Sequence, residues 1–573
     1  MAKYYSSKTD NNAVAYINGK VFTIDQTRPW ATGFVVSWDG IFEAVGDDAE
    51  IMAVADARRL ATYDLGGRFV MPGIHDAHTH LLMAGEGKVW QTNIGWESTE
   101  KSIASDLERN MCNCRYAHIV GDWVVGNFYL PSLFPEGRPD RKYLDDVFPT
   151  TPVLIREMSG HKVLVNSEAL RRMNLDPYTS QPPPGGVFVR RPEDGAMTGE
   201  LFETATGAAW TKLPIPPLAI VKESIRRSIK TCHRYGITSI QEASANTLYL
   251  HALRELEEEN RLDLDVHPHI VCGNEFFSCE TKQSLEALLD VAEAFRSRHV
   301  DSRFVKFWLD GSPIEPGSTH CSLDDHGVPD KKFLFFDDET LLEAVRRYDA
   351  RGFTCKMHAA GEGSVRQALD VYQAVRAGNA NGPRHEIAHS NAIHPDDFSR
   401  LAALRVTAEM SPSVFHIADT FEQIGHTLRY EFDRVHLAGA RTTIGTDYPI
   451  TKTPNLLPPV AGLVGKVTVD PRRATRTGSP RAEEAEESHD DGSKTAGEVS
   501  GPILCYLLTL GAAEALGKEN TTGSIEVGKK ANFVAFSHDL SKGEFADAEV
   551  LQTWFEGRVV FSREELEEEA RSL

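Results

Sequence analysis

PGIHDAHTH, residues 72–80, decides how this chain is read. Alternate side chains of a β-strand share a face, so His78 and His80 point the same way, and they point into a barrel if this strand belongs to a closed set. One metal ion can take both imidazoles. His75 has the opposite parity and is expected to face outward. An HxH pair alone is weak evidence, because it is as often structural as ligating. The surrounding sequence has to settle the matter.

Downstream, seven further stretches read as buried strands: GITSIQEA, LDVHPHIVC, FVKFWLDG, FTCKMHAA, HEIAHS, RVTAEMS and TTIGTDYP. Each is followed by a loop, and most by an amphipathic helical segment such as TLLEAVRRYDARG or GSVRQALDVYQAVRAG. Eight strands alternating with helices predict an α/β protein built on a (β/α)₈ TIM barrel. The two ends of the chain read differently. AVAYINGKVFTI and GFVVSWDGIFEAVG at the front, and TTGSIEVGKKANFVAFSHD and LQTWFEGRVVF at the back, are short strands around turns. They predict a small β-sandwich domain from residues 1–70 and 515–573, flanking a barrel of 71–514.

Two insertions interrupt the barrel pattern. The first, about 82–213, follows strand one and is too long and too apolar for a plain loop, so it predicts a subdomain over the barrel mouth. The second, about 470–501, is DPRRATRTGSPRAEEAEESHDDGSKTAGEVSG and lacks large apolar residues. It reads as a mobile surface segment in preference to an acidic binding tail.

Further ligand-type residues sit at the C-terminal ends of strands, where barrel active sites are built. His358 ends FTCKMH, His389 ends HEIAH and Asp447 ends TTIGTD. Each alone is more often a satisfied polar residue, but three of them together with HxH predict a metal site. Lys306, in FVKFWLDGS, ends strand four in the same way. Beside dications it must be neutral or chemically modified; the alternative is a salt-bridged lysine outside the site. His267-Pro268-His269 is a second HxH, read as structural because proline disturbs a central strand.

Charge and composition narrow the function class. A formal net charge of -22 argues against nucleic acid or an anionic membrane as partner, since either needs a basic patch, and leaves a small-molecule substrate. No leader-like or membrane-spanning apolar run is found, which predicts a soluble, cytoplasmic protein. The 8 scattered cysteines are no disulfide framework, and Cys112-x-Cys114 has no second pair at zinc-ribbon spacing. A homodimer is the base-rate assembly for an enzyme of this length.

The motifs NGKVFTID, DLGGRFVMPGIHDAHTHL, SGHKVLVNSEAL, GAMTGELFETA, VKFWLDGS, MHAAGEGS, IAHSN, GTDYP and GSIEVGKKANFVAF resemble the metal-dependent amidohydrolase superfamily. The likeness covers nearly the whole chain and is to the YtcJ-like branch, amidohydrolase family 3. It implies that His78 and His80 bind one divalent ion and His358 and His389 a second, two Zn²⁺ in the commonest case. Lys306 would be carboxylated to bridge them. Asp447 would both contact metal and serve as general base for a metal-activated water.

The resemblance also places His161 of SGHKVLVNS near the site, as a donor to the substrate carbonyl or as a hydrogen-bonded structural histidine. Glu203 of TGELFETA reads as a neighbour of metal or substrate, or as a helix cap. DWVVGNFYLPSLFPEGRP and PIEPGSTHCSLDDHG depart from the branch's pattern, which points to a different substrate pocket. The expected reaction is hydrolysis of a C–N bond in an amide, formamide or N-acyl group. Lactone or ester hydrolysis, deamination or decarboxylation on the same barrel is the runner-up, and a non-catalytic scaffold comes third.

Overall fold

The computed structural model describes residues 13–572 except 112–118, 274–279, 315–316, 414–430 and 471–493. The expected barrel forms from eight parallel strands hydrogen-bonded in chain order. They are Ile74–Thr79, Ile237–Ala245, Asp265–Val271, Phe304–Trp308, Thr354–Ala359, Glu386–His389, Thr407–Met410 and Arg441–Ile444. Past its last residue the eighth strand returns to the first. Thr79 bridges Tyr448, and the Asp447 N–H donates to the His78 carbonyl at 2.8 Å. The buried Asp76 carboxylate accepts from the Thr446 N–H at 2.9 Å and the Thr446 hydroxyl at 2.6 Å.

The stretch RFVMPGIHDAHTH, which contains PGIHDAHTH, forms two strands. Phe69–Pro72 lies in the sheet of the chain ends, between Lys20–Phe22 and Phe533–Phe536, and the barrel strand begins at Ile74. Gly73 is the hinge, where a Cβ would stand 2.1 Å from the Thr238 hydroxyl, so only glycine lets the two sheets meet there. Three strands from each end of the chain build that six-stranded sheet, and a four-stranded sheet packs on it. Aromatic rings fill the space between them, with Phe533 and Trp554 stacked at 4.5 Å and Phe34 edge-on to Phe533 at 4.8 Å.

The inserted region carries its own six-stranded sheet, from Thr92 to Glu203, over a core that includes Trp123, Leu154, Val163, Leu201 and Trp210. The sheet starts at Thr92 because Leu81–Val89 is a helix belonging to the barrel wall. A Cβ on Gly85 would lie 2.1 Å from the Ser224 carbonyl of the barrel helix Leu218–Arg234. Most of 470–501 lies outside the described residues. Its last part is ordered as the start of the helix Ala496–Leu507, capped by Thr495 and Glu498. Cys112 and Cys114 also lie outside the described residues, and the five described cysteines are free and buried. No described helix is long and apolar enough to cross a membrane.

Candidate metal centre

Donors converge where the first, sixth and eighth strands release the chain. His78 is the next-to-last residue of the first strand and His80 lies just beyond it. Their rings stand 5.6 Å apart, and both turn Nε2 toward Asp447 Oδ1, at 3.6 Å from His78 and 3.3 Å from His80. His389 closes the sixth strand with its ring 4.5 Å from that of His78. His389, Ser390 and Asp447 have φ of 69°, 45° and 56°. For residues other than glycine this backbone region costs on the order of 1–3 kcal/mol and persists where the surroundings impose it. Here the turn out of each strand directs the side chain back toward the mouth.

Two donor sets, with ligand atoms all within 4.8 Å of one another, share His78: His78, His80 and Asp447, and His78, His389 and Glu409. Asp447 Oδ1 is buried without hydrogen-bond geometry to any described residue. Burial holds the His78 and His358 imidazoles well below their ordinary value and brings His389 down to about 3, so they are neutral lone-pair donors at pH 7. Burial also pushes the Asp447 carboxyl up, but His80, His389 and Lys306 outweigh it and hold the group at about 2. Neutral imidazoles around an ionised, unsatisfied carboxylate oxygen suit a divalent metal.

Lys306 is the third of the five residues of strand four and does not end it. Its long side chain still reaches the mouth, with Nζ 3.5 Å from His78 Nε2 and 4.9 Å from the Trp308 ring. Burial and then the adjacent Lys356 bring its amine down to about 7. His358 lies in neither donor set. Its Nε2 is 3.5 Å from the Gly311 carbonyl and 3.7 Å from Asp310, and its ring is 4.6 Å from His389 and 5.0 Å from His161. His161 and Glu203 come together, His161 Nδ1 to Glu203 Oε2 at 2.8 Å. The residue before a 3₁₀ turn is Glu203, but its side chain caps nothing there.

His75 does not face outward. Register shifts between the first two strands break the two-residue alternation, leaving His75 buried on the inner side with Nδ1 2.8 Å from the Ser239 hydroxyl. Glu409 is the residue sequence reasoning missed. It accepts from His78 Nδ1 at 2.7 Å, from the His389 N–H at 3.2 Å and from the Ser411 hydroxyl at 2.8 Å. Such a carboxylate behind a ligating histidine fixes its tautomer and orientation. The signal was an acid inside the apolar run RVTAEMS. Ser244 holds His80 Nδ1 in the same way at 2.8 Å. Asp310 gathers the N–H groups of Cys321, Ala360 and Gly361 with the Ser364 hydroxyl, pinning the loop after strand four to the end of strand five.

A cleft of ≈ 420 Å³, open to solvent, is lined by His161, His358, His389 and Asp447 together with Ser312, Pro313, Ile314 and Ile450. The profile of the amidohydrolase family matches residues 61–561. The N-substituted formamide deformylase of Arthrobacter pascens is 24% identical over 565 residues, covering 96% of this chain and 98% of that one. The Bacillus subtilis protein YtcJ is 23% identical over 553 residues, covering 92% and 95%. In fold, the crystal structure of an uncharacterized metal-dependent hydrolase from Pyrococcus horikoshii superposes with a TM-score of 0.67 at 21% identity, over 93% of this chain and 100% of that one. The chain belongs to the amidohydrolase family, hydrolases acting on carbon–nitrogen bonds, and to its YtcJ-like branch.

Proposed function

We propose that this protein hydrolyses the C–N bond of an amide, formamide or N-acyl group in a small organic molecule, with Asp447 as general base. The observation that carries the reading is the convergence of His78, His80 and Asp447 at the open end of the barrel. In this reading His78 and His80 would hold one zinc ion and His358 and His389 a second. Lys306, converted to a carbamate when its neutral amine attacks carbon dioxide and loses a proton, would help to hold them both. The depressed basicity of that buried amine supports the bridge, because only the neutral form reacts.

Bound divalent ions polarise a scissile carbonyl and bring the acidity of water into the neutral range. Asp447, already ionised, takes the proton from the attacking water and returns it to the leaving nitrogen as the C–N bond breaks. His161, on the cleft wall, donates a hydrogen bond to the substrate carbonyl oxygen. Pro313, Ile314 and Ile450 pack against an apolar substituent. The whole-length likeness to a protein named N-substituted formamide deformylase makes N-substituted formamides the first compounds to test.

The test is elemental analysis of the purified protein together with formate and amine release from a panel of such formamides. About two equivalents of zinc with formate release are expected. One equivalent removes the bridging role of Lys306, and none in a folded protein sinks the mechanism. Ammonia, carbon dioxide or an alcohol as the product would move the chemistry to another bond.

A further inference from the structure

Glu203 ends the strand Met197–Glu203 of the inserted sheet, fully buried, with φ of 53°. Glutamate in that backbone region costs roughly 1–3 kcal/mol, so its surroundings must over-determine it. They do so on both of its oxygens. Oε2 faces His161 Nδ1 at 2.8 Å, while Oε1 accepts from the Thr319 hydroxyl and from the Ser312 N–H at 3.3 Å. The backbone adds a further tie, because the Glu203 N–H donates to the His161 carbonyl at 2.9 Å. Gly311 is part of the same arrangement. A Cβ there would lie 2.2 Å from Glu203 Oε1 and 2.2 Å from the Thr319 hydroxyl, so the loop after barrel strand four can close on this carboxylate only through a glycine.

His161 belongs to the inserted sheet's side of the cleft, and Ser312, Pro313 and Ile314 belong to the barrel loop. One buried carboxylate holds both. We propose that Glu203 is a positioning residue. It holds the Nδ1–H of His161, so that Nε2 is the nitrogen presented to substrate and donates to it when the ring carries its second proton, and it docks the Gly311–Ile314 wall on the inserted sheet. A carboxylate accepts only, so the nitrogen it faces must carry the hydrogen. The hydrogen bonds of the Glu203 side chain go to His161, Ser312 and Thr319 and to none of the residues proposed to hold metal, so its removal should leave metal binding intact. The ring-state part of the proposal stands on geometry alone; its kinetic part rests on the proposed amide hydrolysis.

The test uses full-length, metal-loaded protein labelled with ¹⁵N-histidine, with the His161 signal assigned by its loss in His161→Gln. A protonated Nδ1 is expected in the wild type, displaced in Glu203→Gln and also in Gly311→Ala, with metal content unchanged in both. An unprotonated Nδ1 in the wild type, or a His161 signal identical in both variants, overturns the proposal. With N-benzylformamide as probe, each variant should lose roughly ten- to a hundredfold in kcat, as carboxylates behind functional histidines do. The double variant His161→Gln/Glu203→Gln should lose no more than His161→Gln alone. Independent, additive losses count against positioning. If the wild type hydrolyses no formamide, the proposed function fails while the ¹⁵N result still decides the role of Glu203.

Discussion

The barrel contains two HxH pairs, one at its mouth and one in mid-strand, and they meet different fates. His78 and His80 stand at the C-terminal mouth. Their Nδ1 atoms are held by Glu409 and Ser244, and their Nε2 atoms face a carboxylate. His267 and His269 are the third and fifth of seven residues in strand three, nearer the floor. Their Nδ1 atoms are satisfied by backbone, the carbonyls of Ile240 at 3.1 Å and His267 at 3.0 Å, and both rings pack on Phe304. Pro268 does not interrupt the strand, which pairs with Glu242 through it. The reason given for reading this pair as structural, disruption of the strand by proline, therefore does not hold. Among the described residues no acid joins the pair in a donor set. An HxH becomes a candidate site where neighbouring strands end and their side chains turn inward together, and mid-strand packing denies that.

The sharpest way to break this contrast is to remove one histidine from each pair. His80→Ala should lose bound metal and at least about a thousandfold in activity, as expected when several kcal/mol of metal assistance disappear. His267→Asn should keep its metal and lose about 1–3 kcal/mol of stability through the unmet Ile240 carbonyl, read by denaturant unfolding. Metal loss in both variants would erase the distinction. Next in size, Asp447→Asn should cost on the order of 10²- to 10⁴-fold in kcat with little change in fold. Glu409→Gln should weaken metal affinity roughly ten- to a hundredfold, measured by competition with a chelator, because it loosens the hold on His78 Nδ1.

The smallest expected effect lies at the floor, where charge serves docking. His299 sits between Glu257 at 3.3 Å and Glu556 at 3.0 Å, tying the barrel to the hairpin of the chain's end. Burial works against its charge, but the bonds to Glu257 and Glu556 outweigh it and raise its pKa above the ordinary 6.5. A raised folded-state pKa contributes stability fully below about 6.5, lost as pH climbs through the folded value. Glu556 works in the opposite sense. Despite burial, His299, Lys530 and Arg298 hold it at about 2, so its contribution is present above about 4.5 and fades as pH falls toward 2. Thermal unfolding should therefore show a shallow alkaline decline that His299→Gln flattens, with metal content unaffected.

Legibility followed from locality. The eight barrel strands, the paired β-rich ends and the inserted block could be read because apolar periodicity and turn residues act over a few positions along the chain. His78, His80, His389 and Asp447 could be read because ligand-type side chains at strand ends are conspicuous. His75 could not, since strict alternation was assumed where the register with strand two shifts. Nor could the partnership of His161 with Glu203, whose hydrogen bond spans 42 positions, or that of Glu409 with His78, which spans 331. A sequence determines which residues are able to ligate, accept or pack. Which of them meet depends on barrel closure and on where each strand releases its chain, and these are set by contacts far apart in sequence. The tertiary structure alone therefore decided that Glu409 stands behind His78, that Lys306 reaches the mouth from mid-strand, and that the second HxH is core.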